Sequence, residues 1–222
     1  MANSIVAGNS TNGGTAISTD TSGTLNIVTG SGSGSNAITI DASQVVTIPG
    51  NLTVSGTLSA SGGVSGGIRS GTAVASTSGT SIDFTGIPST VKRITVMFNG
   101  VSTSGTSLVQ IQTGSGSVTT SGYVWVGGYF YSGTAAASYT SGFNIDAAAS
   151  GSATYVRYGS LVLNLITGNT WSASYVGSNT ALALVQAGSG SIALGGILDR
   201  IRITTVNGTD TFDAGTINIL YE

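Results

Sequence analysis

The stretch TYVRYGSLVLNLI, residues 154–166, decides the class of fold. Leu161, Leu163 and Leu165 recur at every second position, which places all three on one side of an extended strand. The same two-residue period runs outward in both directions. Upstream, VKRITVMF at 91–98 sets Ile94, Val96 and Phe98 on one face, with Lys92 on that face at the strand end, and SLVQIQ at 107–112 sets Val109 and Ile111 opposite Gln110 and Gln112. Downstream, WSASYV at 171–176 aligns Trp171, Ala173 and Tyr175, and ALALVQA at 181–187 is apolar enough to predict a buried strand. LDRIRITTV at 198–206 turns Ile201 and Ile203 inward and Arg200 and Arg202 outward, and TINILY at 216–221 aligns Ile217, Ile219 and Tyr221. Seven such runs separated by turn residues predict an all-β domain: a β-sandwich, jelly roll or barrel over residues 71–222. Asn207-Gly208 predicts a hairpin turn. No amphipathic helix is visible, and Asp146–Ala149 suffices for one turn at most.

Residues 1–70 have a different texture. Short apolar pairs, Leu25/Ile27, Ile38/Ile40, Val46/Ile48 and Leu52/Val54, are separated by turn or linker segments such as TGSGSGSN at 29–36, with SGGVSGG at 61–67 closing the region. Each pair is too short for a stand-alone sheet. Several copies of the chain wound about a common axis would let these eight residues stack in a narrow shared core, and three-fold packing is the economical arrangement for small β-branched side chains. The expectation is a short-strand trimeric shaft or anchor at the N-terminus, followed by a β-sandwich or jelly-roll knob.

Composition narrows the function. The 222 residues include 35 glycines, about twice the usual share, and only 6% charged residues against about 25% in typical soluble chains. Disorder is disfavoured, since 40% of the residues are hydrophobic and the net charge is only −2. Six basic residues do not neutralise a run of phosphates, so no nucleic-acid partner is expected. No stretch reaches 18 apolar residues and no basic amphipathic helix appears, so no membrane partner is expected either. Cysteine is absent, which removes disulfides and thiol chemistry. The start, MANSIVAGNS, lacks the basic and apolar regions of a secretory signal, in keeping with assembly in a cytoplasm. Edge strands are usually blunted by Lys or Pro, and one Lys and two Pro are too few, so closure or pairing with sister subunits must cover them.

No chemistry of catalysis assembles. Histidine is absent, and with it the commonest general base and metal ligand. The acidic residues, Asp20, Asp41, Asp83, Asp146, Asp199, Asp210, Asp213 and Glu222, are scattered near turns, where a carboxylate accepts backbone hydrogen bonds. Asn207, Asp210 and Asp213 form the densest oxygen cluster, without the spacing of a calcium loop. The Gly-Ser runs lack the Lys and the following helix of a phosphate loop and read as turns. No enzyme, cofactor or metal is expected. The aromatic stretch 123–143, YVWVGGYFYSGTAAASYTSGF, has two readings: Tyr123 and Trp125, at alternate positions, as core or subunit interface, and Tyr129, Tyr131 and Tyr139 as a glycan or receptor contact, with Arg157 and Tyr158 able to add to either.

The N-terminal segments at 14–30 (GTAISTDTSGTLNIVTG) and 36–63 (NAITIDASQVVTIPGNLTVSGTLSASGG) resemble the shaft-forming or connector segments of bacteriophage tail-fibre and related virion fibre proteins. The segments TSIDFTGIPSTVKRITVMFNGVST at 80–103 and DRIRITTVNGTDTFDAGTINILYE at 199–222 are similar to the terminal β-domain of tailed-phage structural proteins. This resemblance implies a homotrimeric virion component, exposed on the particle exterior. Its N-terminal region would contact a tail adaptor or capsid protein, and its C-terminal knob would adhere to host-surface glycans. The family brings no catalytic motif. The chain is short for a long tail fibre, which keeps a capsid-mounted head fibre or decoration (cement) protein as an alternative. A carbohydrate-active tailspike is the remote one.

Overall fold

The computed structural model describes residues 25–28, 36–40, 43, 45–48, 52–53, 55, 67–130, 134–146 and 151–222. The chain divides into two compact units, Met1–Ser61 and Gly62–Glu222. Every strand pairing is antiparallel, and no helix occurs among the described residues.

In the first unit, β1 (Leu25–Val28), β2 (Asn36–Ile40) and β3 (Val46–Thr47) form one three-stranded sheet. Its register sets Leu25 opposite Ile40, Ile27 opposite Ile38, and Ile40 opposite Val46. Leu25/Ile27 and Ile38/Ile40 thus fall in register with each other and Val46 joins them, whereas Ile48 and Leu52 lie outside the three strands. Val45, Val46 and Leu52 are exposed, while Ile38 and Ile48 are half-buried. Val54 lies outside the described residues.

The second unit contains β4 (Arg69–Ser70), β5 (Val74–Ala75), β6 (Ser81–Thr85), β7 (Arg93–Thr103), β8 (Val109–Ser115), β9 (Ser117–Val118), β10 (Val124–Phe130), β11 (Thr134–Tyr139), β12 (Phe143–Asn144), β13 (Arg157–Thr167), β14 (Thr170–Asn179), β15 (Leu184–Ala193), β16 (Arg200–Thr205) and β17 (Phe212–Tyr221). The larger sheet runs β11-β10-β15-β14-β13-β7-β17-β4, with β5 also on β17. The smaller runs β12-β8-β16-β6, with β9 on β8.

Alternation makes the core. Ile94, Val96, Leu161, Leu163, Ala173 and Ile217 from the larger sheet join Ile82, Ile111, Ile201 and Ile203 from the smaller in one apolar cluster. Each fully buried Leu or Ile contributes about 1.5–3 kcal/mol. Tyr123 and Trp125 are core, in line with the first reading of their alternation. Both rings meet Phe143 edge-on, at 4.9 and 5.2 Å between centroids. Their polar atoms are satisfied across the interior: the Trp125 indole N–H donates to Asn144 O at 2.8 Å, and the Tyr123 hydroxyl accepts from Thr113 N–H at 2.8 Å and donates to Thr119 O at 2.9 Å. The large rings fit because small residues oppose them. A Cβ at Gly188 would lie 2.4 Å from Trp125 Cζ2. One buried ion pair also joins the segment after β12 to β13: Arg157 Nε and an Nη of its guanidinium donate to the two Asp146 carboxylate oxygens at 2.6 and 2.8 Å, with both side chains fully buried.

Two sequence expectations shift. The apolar run 181–187 is not wholly a strand: residues 180–183 form a turn, Asn179 Oδ1 accepts the Ala181 N–H, and Ala183 adopts φ 51°. Pairing of Asn179 with Leu184 fixes that turn, so β15 begins at Leu184 with Val185 pointing to solvent. Asn207-Gly208 is a turn but not a hairpin, because β16 belongs to the smaller sheet and β17 to the larger. It carries the chain between layers.

Candidate functional site

Two surfaces of the second unit are candidates, the outer faces of its two sheets. On the larger sheet, the outward positions of β10, β15, β14 and β13 carry Val, Ser, Ala, Gly, Thr, Asn, Ile, Phe and Tyr, and no charge. Register assembles the apolar ones into a patch. Phe130 stands directly opposite Val185, and Ala187 lies between Gly128 and Val176. Phe130, Val176 and Val124 are 61%, 64% and 68% exposed, with Val126 and Val185 close behind. Exposed apolar surface that is contiguous rather than scattered marks an interaction site. The outermost strand, β11, has the sequence TAAASY and offers no charge to blunt its edge.

The outer face of the smaller sheet has the opposite character. Arg202 forks onto Asp83 at 2.7 and 2.8 Å, and Arg200 onto Asp199 at 2.8 and 3.2 Å. The hydrogen bond from Arg200 holds the Asp199 carboxyl below the usual carboxylate range, against a smaller opposing effect of desolvation, with help from the Gly116 N–H at 3.1 Å. Gln110, Gln112, Thr204 and Ser81 complete the face and line a polar cleft of about 350 Å³.

The aromatic candidates are dispersed. Tyr139 packs half-buried against the core edge, opposite Trp125, and its phenol is pushed up by burial and then by the Asp146 charge. Tyr129 is half-buried opposite Gln186, on the inward side of β10. Tyr131 lies outside the described residues. The exposed aromatics of the sheet are instead Phe130 and Tyr158, and strand parity alone distinguishes them from their neighbours. Arg157 is consumed by the buried pair with Asp146 and offers nothing to a ligand.

The oxygen cluster is likewise spoken for. Asp210 accepts from the Ser107 N–H and from the Asn207 amide, both at 2.8 Å, and Asp213 accepts from the Ser102 hydroxyl. Among the described residues no three acidic side chains converge as metal ligands. No family model matches the chain, nor does any curated protein or solved structure.

Proposed function

We propose that the chain is a non-enzymatic, homotrimeric fibre protein of a tailed-bacteriophage virion, tail-mounted, with an N-terminal shaft or anchor and a C-terminal knob that adheres to the host surface. The observation that carries the reading is the uncharged outer face of the larger sheet. Five strands from β11 to β13, spaced about 4.8 Å apart and about seven residues deep, make a face on the order of 600 Å². One partner of a standard interface contributes about 800 Å². Turned toward a three-fold axis, a face without charges meets the same face of two other copies without like-charge repulsion, and copies of the chain are partners always present at the same concentration.

Further support comes from the first unit, whose three short strands leave Val45, Val46 and Leu52 exposed. In a trimer these would close against their counterparts, together with Leu25, Ile27, Ile38, Ile40, Ile48 and Val54. A jelly-roll knob is supported by the pairing of β7 with β17 in one sheet while their chain neighbours β8 and β16 pair in the other. Adhesion would then work by avidity, with three weak sites on one particle-bound stalk. Light scattering of the full chain at micromolar concentration tests the reading. The expected mass is three times that of one chain, and a monomer overturns it.

A further inference from the structure

We infer that the polar cleft on the outer face of the smaller sheet is a binding site for a neutral saccharide. The inference deepens the adhesion part of the reading above and rests on it only for the source of the sugar.

The cleft is built before any ligand arrives. Gln110 and Gln112 point the same way from β8 and are only 3% and 5% exposed, so their rotamers are fixed by packing. Ser141 fixes their amides. Its hydroxyl donates to Gln110 Oε1 at 2.9 Å, and its carbonyl accepts from Gln112 Nε2 at 2.8 Å. The two amides are thereby turned in opposite senses: Gln110 has its NH₂ left to donate, and Gln112 has its oxygen left to accept. A sugar hydroxyl is both donor and acceptor, and a neighbouring pair of hydroxyls matches one fixed donor beside one fixed acceptor. Groups already locked in place lose little entropy on binding.

Charge narrows the ligand class. The charged side chain lining the cleft is Arg202, and its guanidinium is neutralised by the two-point contact with Asp83. The rest of the lining is hydroxyl, amide and backbone, with Ser81 and Thr120 at hand for further hydrogen bonds. The volume lies in the range of small-molecule sites. An anionic ligand would find its cation already paired, and an apolar one would strand the amides unsatisfied.

Saturation-transfer NMR on the full chain tests this, with D-glucose, D-galactose, N-acetyl-D-glucosamine and their β-1,4-linked disaccharides as probes and N-acetylneuraminic acid as the charged comparison. Saturation is expected on ring protons of at least one neutral probe. Gln112→Ala should weaken binding about tenfold, the worth of one good hydrogen bond. Because Gln112 is buried, Thr120→Arg serves as a second variant: position 120 is exposed, and the long side chain fills the cleft without touching the core. Thr90→Ala, in the exposed turn before β7, should leave sugar binding unchanged. Three results overturn the inference: no transfer to any neutral probe, transfer undiminished by Thr120→Arg, or preference for the charged sugar. Light scattering on the same samples separates the two proposals. A trimer that binds no sugar sinks only the cleft, and a monomer that binds sugar sinks only the assembly.

Discussion

The two outer faces of the second unit are made of the same kind of strand, yet they solve the problem of meeting solvent differently. The smaller sheet places Arg200 and Arg202 beside Asp199 and Asp83, so its outward side is polar and internally neutralised. The larger sheet presents Val124, Val126, Phe130, Val176 and Val185 among serines, with no charge from β10 to β13. Both sheets line one core with equal regularity, so inner packing does not explain the contrast. A face that must stay in water is protected from self-association by charge. The larger sheet lacks that protection, as the proposed contact between copies requires.

The contrast presupposes that the two sheets act as one body, and the largest predicted effect comes from breaking that. Asp146→Ala leaves the Arg157 guanidinium buried without a counter-charge, which typically costs about 3–5 kcal/mol. It also frees the Val109 N–H that Asp146 accepts at 2.8 Å. Urea unfolding should show a loss of this size, and a change below about 1 kcal/mol would mean that the pair is no clamp. Next in size is the bare face. Val176→Lys together with Val185→Lys should weaken assembly by about 100-fold or more, because the ammonium groups would be desolvated without partners. The same exposed substitutions should alter the stability of one isolated chain by no more than about 0.5 kcal/mol. If sedimentation shows assembly untouched, the bare face is not the interface.

A milder test separates inner from outer surfaces by pH. Burial pushes the phenols of Tyr123 and Tyr175 above their ordinary value of about 10. A raised acid holds its proton more tightly in the folded state. The associated stability is therefore complete below about pH 10 and is lost as pH rises through the folded values. Tyrosinate absorbance should lag behind that of the unfolded chain above pH 10 and then jump as the fold opens. Coincidence of the folded and unfolded titrations would contradict the burial of these rings.

Much of the second unit is legible in sequence because β-structure with one wet face writes itself as alternation. Ile94, Val96, Leu161, Leu163, Trp171, Tyr175, Ile201 and Ile217 all face inward as their period requires. The sequence is less informative where a side chain's fate depends on a distant partner. Arg157 reads as a surface cation until Asp146 is brought against it, and Asn207-Gly208 reads as a hairpin until its flanking strands are seen in different layers. The candidate sites were the least legible part. Parity separates the exposed Phe130 from the half-buried Tyr129 beside it, but only once β10 is placed with one face on the core. The polar cleft left no signal at all, since Gln110 and Ser141 are 31 residues apart and meet only through the pairing of β12 with β8.

The smallest predicted effect lies on the polar face. Asp83 and Arg202 are each about one-third exposed, so a double-mutant cycle between Asp83→Ala and Arg202→Ala should return a coupling of about 0.2–1 kcal/mol that shrinks with added salt. A coupling above about 2 kcal/mol would mark the pair as desolvated and make this face, too, part of an interface. The weak pair still has a role, because it cancels a charge at the wall of the cleft. Asp83→Asn leaves the Arg202 guanidinium without its carboxylate, which should turn a neutral cleft cationic while costing the fold little. The variant is expected to gain affinity for N-acetylneuraminic acid relative to a neutral sugar in the same NMR experiment. If selectivity stays unchanged, Arg202 does not face the bound ligand, and the polarity of this surface serves only to keep it in water.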